Sequence, residues 1–582
     1  MSATLTAPIT SPLASRLQKV ASLLITLPIF CFVLFVWAYA VNVPWFDDID
    51  AFLGFTLAYT NAADLSDKIY NIFVPNNEHR IVVAKLITLA MYYLTGEVNF
   101  RWLILIALLF MLGTLALFGR VFRSMRVSWL LFAPVPFLML QPQYYLTSLW
   151  SIPGLQHPVV ICLTLSSLYL LTRSGRSQFA GAVIMQVFAT LSMSNGLMGW
   201  VAGGLVLALH KKWYKLAGWL AGSVLAIVLY FYNFQSASRT GESLAYSLAH
   251  PLQALAALFT FTGGLFDFLP AVKNVWRYAP PTVGGVVLAI LVLGLLYRMN
   301  RNLWTVNAER VDERLQKRRL FFSGAYIFFY GNAAIIALLR LRYGYDVMVV
   351  SNYMIYPAVL TALVYLNILS ECVTWRAQRW CLRIGLAGSI LIWLFTYGYY
   401  WPKMAFRKEM LLTSAMNQKH NDIGLGATWG TPFADVARSM MRESVSRGIY
   451  HYPDSYITPV EPLLMSMNST VTTDSCLSMD LSGGGVIYKT ATMANAYPTG
   501  LGQAAIVVKS NRHTILYASE TPFTFRNFWL NKPVTSAHSE ILTIVLAPGR
   551  YQVGVLTPSQ PSQPVQFSCQ SLTIPKSLTI PK

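Results

Sequence analysis

The sequence predicts an all-α polytopic membrane domain followed by a small, β-sandwich-like C-terminal domain outside the membrane. Its 582 residues are 55% hydrophobic and only 12% charged, with a mean hydropathy of +0.48, which is too apolar for a soluble protein of this size. Apolar runs of about 20 residues, the length that crosses a bilayer, recur up to residue 402. Beyond that point, short alternating runs between Gly and Pro residues predict strands.

The net charge of +20 could indicate a nucleic-acid-binding protein. The basic residues, however, lie in short loops between the apolar runs, which is the positive-inside pattern of membrane proteins. Membrane lipids are therefore predicted partners, and nucleic acids are not.

The N-terminal tail, residues 1–20, is polar and ends with Arg16 and Lys19 just before the apolar run 21–41. This run is long, lacks a small-residue cleavage site and is followed by more membrane segments, so it predicts a retained first helix and not a signal peptide. The basic flank places the tail in the cytoplasm and the following loop, residues 42–80, outside.

The rest of the membrane domain, which ends at residue 402, is oriented by its basic loops. The loops at 120–126, 173–176, 210–212, 298–319 and 376–383 are predicted to be cytoplasmic. Most apolar runs pair up accordingly: 128–147 with 155–172, 178–194 with 196–210, and 320–340 with 353–370. Segments 81–95 and 246–270 would break the alternation and are predicted to be re-entrant or in-plane on the outer side. This leaves about eleven spanning helices, or about thirteen if both segments cross.

The remaining chain is predicted to lie outside the membrane. Residues 403–454 form a helical linker with an amphipathic stretch on the membrane surface, 455–570 form the β domain, and the repetitive tail 571–582 is disordered. Cys476 and Cys569, near the two ends of the β domain, are predicted to form a disulfide in an oxidising compartment, with two free thiols as the alternative. The other four cysteines lie in or beside apolar runs, where they act as small hydrophobes.

The stretch Pro44-Trp45-Phe46-Asp47-Asp48-Ile49-Asp50 follows directly on the first apolar run. Carboxylates are costly to desolvate at a membrane interface, so a cluster there predicts a functional site. Asp47, Asp48 or Asp50 could act as a general base toward a hydroxyl group. The alternative is that Asp47 or Asp48 caps the following helix.

A second polar cluster, Asn76-Asn77-Glu78-His79-Arg80, begins the next membrane segment. Glu78 is either a second acid or a helix cap. Arg80, Arg340 and Arg342 are candidate ligands for a phosphate, because guanidinium groups offer forked donors and stay charged, with snorkelling at the interface as the alternative. Other candidates on the same predicted face are His79, His157, Asn195 and Tyr353. The alternatives are hydrogen-bonded structural histidines and, for Tyr353, an aromatic belt at the membrane interface. There is no metal-ligand spacing and no Gly-rich nucleotide loop, so no cofactor is assigned and a divalent cation stays open.

The motif Trp45-Phe46-Asp47-Asp48 after a first helix, followed by many helices and an external C-terminal domain, resembles the GT-C superfamily of integral membrane glycosyltransferases. The resemblance covers roughly residues 20–400. Three further motifs are similar to uncharacterised bacterial membrane proteins of this type: Asn77-Glu78-His79-Arg80-Ile81, Ser194-Asn195-Gly196-Leu197 and Arg340 with Ser351-Asn352-Tyr353. The C-terminal β domain matches no domain of the superfamily, which leaves the acceptor open.

The resemblance implies an enzyme of the bacterial inner membrane that transfers a hexose or pentose from a polyprenyl-phosphate donor to a hydroxyl of an envelope glycan or lipid. It implies Asp48, or Asp47, as the base, and Arg80 and Arg340, with Arg342, as phosphate ligands. An O-antigen polymerase or ligase is one alternative, although the predicted external arginines are few. A transporter or flippase of lipid-linked saccharide is the other, although the helices are nearly free of charge.

Overall fold

A computed structural model describes residues 12–77, 79–234, 240–301, 312–426, 431–467, 479–484, 488–499, 505–520, 534–542, 546–557 and 565–574. The described chain is helical up to residue 466 and built of strands beyond it. Its α-helices are α1 Pro12–Tyr39, α2 Phe55–Asn61, α3 Leu65–Phe73, α4 Val82–Thr95, α5 Phe100–Arg123, α6 Pro134–Met139, α7 Tyr145–Ser148, α8 Ser151–Leu171, α9 Arg176–Thr190, α10 Leu197–Leu209, α11 Trp213–Phe231, α12 Thr240–Ala249, α13 Pro251–Thr262, α14 Ala279–Asn300, α15 Glu313–Arg340, α16 Ile355–Glu371, α17 Trp375–Asn421, α18 Pro432–Ser446 and α19 Glu461–Ser466.

Eight of these helices are long and apolar enough to cross a membrane within the described chain: α1, α5, α8, α11, α14, α15, α16 and α17. A ninth is added if α12 and α13, which meet at an angle of 104°, count as one broken span. The protein is therefore a polytopic helical membrane protein. The predicted number of eleven or thirteen spans stays a prediction. Helix α4, within the segment predicted not to cross, has 14 residues, about 21 Å of helix against the roughly 30 Å of a bilayer core.

The segment predicted as a span at 128–147 is not one helix. It is divided into a 3₁₀ turn at Trp129–Phe132, helix α6 and a second 3₁₀ turn at Pro142–Tyr144. The three prolines of this segment interrupt the helix, because proline lacks the N–H that a helix interior needs. Residues 131–144 are all buried, so this irregular backbone is covered by protein, as a bilayer environment requires.

Helix α17, the last helix of the membrane domain, is longer than predicted. The apolar run stops at Pro402, but the helix continues for 47 residues in total, from Trp375 to Asn421, a rod of about 70 Å. Its second half is not a surface helix, since Met404, Leu411 and Met416 are buried. Residues 403–421 therefore join the membrane domain rigidly to the C-terminal part.

The ends of the helices form two distinct polar regions. Helix α15 runs from Glu313 to Arg340, and α16 returns from Ile355 to Glu371. At the first region, called the basic end here, the side chains of α14 and α15 hold the ends of α5 and α16. The contacts there are Arg319 Nη2 to Glu371 Oε2 at 2.7 Å, Arg298 Nη2 to Glu371 O at 3.0 Å, Arg318 Nη1 to Ser124 O at 3.0 Å and Arg318 Nε to Ser370 Oγ at 2.8 Å.

The opposite region, called the acid end, contains the motif with Asp47, Asp48 and Asp50. A second apolar core lies here, separate from the main core between the membrane helices. It joins the motif to helices that are far apart in sequence. Its buried members include Ile49, Phe52, Phe100, Leu155, Leu411, Ala437 and Tyr450.

The C-terminal region contains two antiparallel sheets, as the strand-like runs predict. The strands are β1 Met479–Gly484, β2 Tyr488–Thr499, β3 Ala505–Lys509, β4 Thr514–Ala518, β5 Val534–Leu542, β6 Gly549–Leu556 and β7 Val565–Ile574. Their orders are β1-β2-β5 and β4-β3-β6-β7. Ile541 of the first sheet packs in one core with Ile506 and Val508 of the second. The side chain of Asn417, on α17, hydrogen-bonds both the carbonyl (2.7 Å) and the N–H (2.8 Å) of Leu516 in β4.

The C-terminal tail was predicted to be disordered from residue 571. Residues 571–574 instead belong to β7, because Leu572 and Ile574 enter the core of the second sheet. Residues 575–582 lie outside the described residues. Cys569 is disulfide-bonded, while its predicted partner Cys476 lies outside the described residues.

Candidate functional site

The acid motif forms a tight turn that leads into a π-helix, Ile49–Gly54. Phe46 has a φ of 46°, a left-handed conformation that is unusual for a bulky residue. Its ring packs against Gly426, where an added Cβ would lie 2.7 Å from the ring. Strained backbone and short π-helices both concentrate at functional sites, which supports the sequence-based choice of this motif.

Asp48 is the buried member of the motif, with 1% of its surface exposed. Its Oδ2 accepts a hydrogen bond from the N–H of Trp45 and its Oδ1 from the N–H of Ile152, both at 3.1 Å. Burial raises the pKa of this carboxyl to about 8. Asp48 thus fastens the motif to the first turn of α8. It does not cap the helix that follows it, as the alternative interpretation of the sequence expected, because its side chain accepts no N–H from that helix.

Asp47 and Asp50 are more accessible. The Asp47 side chain is half-buried, and within the described chain no hydrogen bond engages its carboxylate. Asp50 accepts a hydrogen bond from Asn76 Nδ2 at 2.7 Å. Asn76 in turn shares two backbone hydrogen bonds with His79. The two polar clusters of the sequence are therefore neighbours in space.

His79 lines a cavity of about 270 Å³ together with Asn195, Arg340 and Tyr353. Four of the predicted site residues, from four separate segments, therefore meet at one place. The cavity is lined by two kinds of side chain. The polar ones are His79, Ser194, Asn195 and Arg340, and the apolar ones include Phe231, Phe234, Ile335, Ile336 and Leu339.

A hydrogen-bonded group backs the cavity. His157 Nδ1 lies 3.1 Å from the hydroxyl of Tyr356, which also accepts from Asn195 Nδ2 at 2.9 Å. The ring of His157 lies edge-on to Tyr353, with centroids 5.5 Å apart. His157 is buried and does not line the cavity. It contacts Tyr353 directly and is linked to Asn195 through the hydroxyl of Tyr356.

Two predicted phosphate ligands are occupied by other groups. Arg80 is buried, and its guanidinium donates to the backbone carbonyls of Tyr230, Phe73 and Tyr232. It therefore fastens the end of α11 to the loop before α4. Arg342 forms an ion pair with Glu242. Arg340 lines the cavity. Glu78 lies outside the described residues.

Arg407 is a site residue that sequence reasoning missed. It is 8% exposed, lies over the ring of Trp150 at 5.8 Å, and its charge acts on Asp48 and Tyr145. Within the described chain, its Nε and Nη2 groups have no hydrogen-bond partner. A buried guanidinium with unpaired donors is costly and indicates an anionic or polar ligand. The signal in the sequence is that Arg407 falls in the apolar stripe formed by Met404, Leu411 and Ala415.

Lys85, also missed, has a structural role. It is buried, and its Nζ donates to the carbonyls of Asn71 (2.9 Å) and Val74 (2.8 Å). It holds the loop that carries Asn76 and His79 against α4. Among the described residues, no group of three or more His, Cys, Asp or Glu side chains is arranged to hold a metal ion.

His79 supplies a pH-dependent prediction. Burial, helped by the charge of Arg340, lowers its pKa to about 4 from an ordinary value of 6.5. The folded state thus binds fewer protons than the unfolded state between these values, so the contribution of neutral His79 to stability is complete above pH 6.5 and is lost as the pH falls toward 4. We expect the thermal midpoint of the wild type to fall more steeply over this range than that of His79→Gln. If the thermal midpoints of the two proteins fell in parallel with pH, the lowered pKa of His79 would be contradicted.

The comparisons with known proteins add no assignment. No family model matches the sequence, and no curated protein or solved structure is significantly similar to the chain. Any function must therefore be argued from the geometry of the acid end.

Proposed function

We propose that the protein is a membrane glycosyltransferase that moves a sugar from a polyprenyl-phosphate donor to a hydroxyl group of an envelope glycan or lipid. The observation that carries this proposal is a cavity of mixed polar and apolar lining, which is linked to the acid motif through Asn76 and His79. An isoprenoid suits its apolar residues, which include Phe231, Phe234 and Leu339. A phosphate suits Arg340, and a sugar suits the hydrogen-bonding groups of Asn195 and His79.

The proposed reaction needs a base from the acid motif, and we choose Asp47 over Asp48. Asp48 already accepts two backbone N–H groups and is closed off from solvent, whereas Asp47 is half-buried and unengaged within the described chain. In the proposed step, Asp47 takes the proton of the acceptor hydroxyl. The hydroxyl oxygen then bonds to the anomeric carbon, the bond from that carbon to the phosphate oxygen breaks, and polyprenyl phosphate leaves.

In this proposal, the arginines stabilise oxygen atoms of the reacting groups. Arg340 neutralises the phosphate as negative charge builds on the departing oxygen. Arg407, whose charge acts on Asp48, offers its unpaired N–H groups to an oxygen of the sugar or acceptor. A divalent cation is not needed for either role, and none is assigned.

The proposed orientation puts the acid end and the C-terminal sheets outside the cytoplasmic membrane of a bacterium, with eleven crossings. The contacts at the basic end support this orientation. They bring together loops that the positive-inside rule assigns to the cytoplasm. We expect reporters fused after Arg123, Arg176 and Lys212 to report cytoplasm, and one after Asn61 to report the outside. An external reporter after Arg123 would replace the eleven-span arrangement by one in which 81–95 crosses.

The experiment that tests the function compares envelope glycans from cells with and without the protein by mass spectrometry. We expect one glycan or lipid species to lose the mass of a single hexose or pentose when the protein is absent. The species should return with the wild-type gene. Unchanged masses, with lipid-linked saccharide accumulating on the cytoplasmic side, would favour the flippase alternative.

A further inference from the structure

A second cleft, of about 420 Å³, lies at the acid end but is separate from the proposed donor cavity. It is formed by the end of α1, the start of α5, the middle of α17 and the loop after α18. The two sites share no lining residue. The side chains that give this cleft its chemistry are Trp37, Arg101, Trp102, Lys408 and Asp454.

The two cations are fixed at the edge of the cleft and retain spare donors. Arg101 donates one N–H to the carbonyl of Trp37 at 3.1 Å, and its guanidinium lies over the Trp37 ring at 4.5 Å. Its Nε is buried and has no hydrogen-bond partner within the described chain. Lys408 donates to the carbonyl of Ala38 at 3.0 Å, which leaves two of its three N–H groups.

The amide side chains of the cleft are already used by the fold. Asn42 donates to the carbonyl of His451 at 3.0 Å and accepts from the N–H of Phe100 at 2.8 Å. Asn99 caps α5 by accepting from the N–H of Trp102. The groups left for a ligand are therefore Arg101, Lys408 and the exposed Asp454, with a net charge of +1.

An exposed apolar face of the membrane-crossing helix α1 leads to this cleft. Leu23, Leu27, Phe30, Leu34 and Trp37 lie on one face of α1 and are all exposed. Trp37 lies at the end of this face and stands edge-on to Trp102, with ring centroids 6.2 Å apart. Paired tryptophans of this kind mark the headgroup level of a bilayer. Acyl chains along α1 would place a lipid phosphate beside Arg101 and Lys408.

We propose that this cleft binds the headgroup of a monoanionic phospholipid, with its phosphate between Arg101 and Lys408 and its chains along α1. The single negative charge of a phosphatidylglycerol headgroup balances the net charge of the cleft. The guanidinium forms charge-assisted hydrogen bonds to the phosphate oxygens. Such a lipid would bridge α1, α5 and α17, the helices that support the acid motif. This site is independent of the proposed glycosyl transfer.

The test uses native mass spectrometry of the purified full-length protein with three probes: phosphatidylglycerol, undecaprenyl phosphate and inorganic phosphate. We expect the wild type to retain one phosphatidylglycerol molecule at concentrations at which Arg101→Gln/Lys408→Gln binds it at least about tenfold more weakly. Glutamine is chosen because it keeps an N–H donor for the end of α1 while removing the charge. Undecaprenyl phosphate should bind both proteins equally.

A matched control is Arg379→Gln, which removes a guanidinium that lies over Trp375 at 5.1 Å near the basic end. It should leave phosphatidylglycerol binding unchanged. Equal binding of this lipid by the wild type and the double variant would overturn the proposal. So would a loss of phosphatidylglycerol binding in the control variant as large as that in the double variant. Selective loss of undecaprenyl phosphate in the double variant would assign the cleft to the donor instead. Displacement of the lipid by equimolar inorganic phosphate would show an adventitious anion only.

Discussion

Asp47→Asn is expected to lower sugar transfer by about 10²–10⁴-fold, the usual contribution of a general base, without changing the thermal midpoint. The amide keeps the size of the side chain but cannot take up a proton, and the half-buried Asp47 makes no hydrogen bond within the described chain that its loss would break. The measurement is the rate at which the modified envelope glycan appears after induction, divided by the amount of protein in the membrane.

Asp48→Asn is the matched comparison, since it makes the same change one residue away. We expect it to lower the thermal midpoint, because one carboxylate oxygen that now accepts from Trp45 or Ile152 would become an NH₂ group facing an N–H. Asp50→Asn keeps an acceptor for Asn76 and should change neither the rate of transfer nor the thermal midpoint by much. If Asp48→Asn abolishes transfer at an unchanged midpoint while Asp47→Asn stays active, Asp48 is the base. Near-normal transfer in all three would exclude the motif from catalysis.

Arg340→Ala is expected to weaken the binding of polyprenyl phosphate and the rate of transfer together, each by about 10–100-fold. A hydrogen bond to a charged group is worth about 1.5–3 kcal/mol, and a phosphate contact made in both the ground state and the transition state lowers both quantities. Binding of undecaprenyl phosphate to the purified variant and glycan transfer in cells are the two measurements.

Arg342→Ala and Arg80→Ala separate this effect from a general loss of charge. Arg342 is paired with Glu242 and partly exposed, so its removal should change stability by no more than about 1 kcal/mol and leave donor binding intact. Arg80→Ala should instead destabilise the protein by about 3 kcal/mol, because three backbone carbonyls lose their donor. Donor binding that falls equally in Arg340→Ala and Arg342→Ala would contradict a specific phosphate site at Arg340.

The sequence by itself determined the parts of the protein that depend on local composition. Long apolar runs specify membrane helices because each backbone polar group must be satisfied within its own segment in lipid, and eight such helices are present within the described chain. Alternating β-branched runs likewise specify the strands of the C-terminal sheets. The position of Asp47, Asp48 and Asp50 directly after an apolar run was enough to select them as candidates.

Only the tertiary structure decided which polar groups line the cavity and which ones hold other parts of the fold together. Arg80 and Arg340 are alike in sequence context, yet the donors of Arg80 are used by the end of α11, more than 100 residues away, whereas Arg340 lines the cavity. Asp47 and Asp48 are adjacent, yet Asp48 alone accepts the N–H of Ile152. Arg407 reached the site because α17 continues through Pro402. Hydrogen bonding and burial depend on partners that are distant in sequence, and local composition carries no information about them.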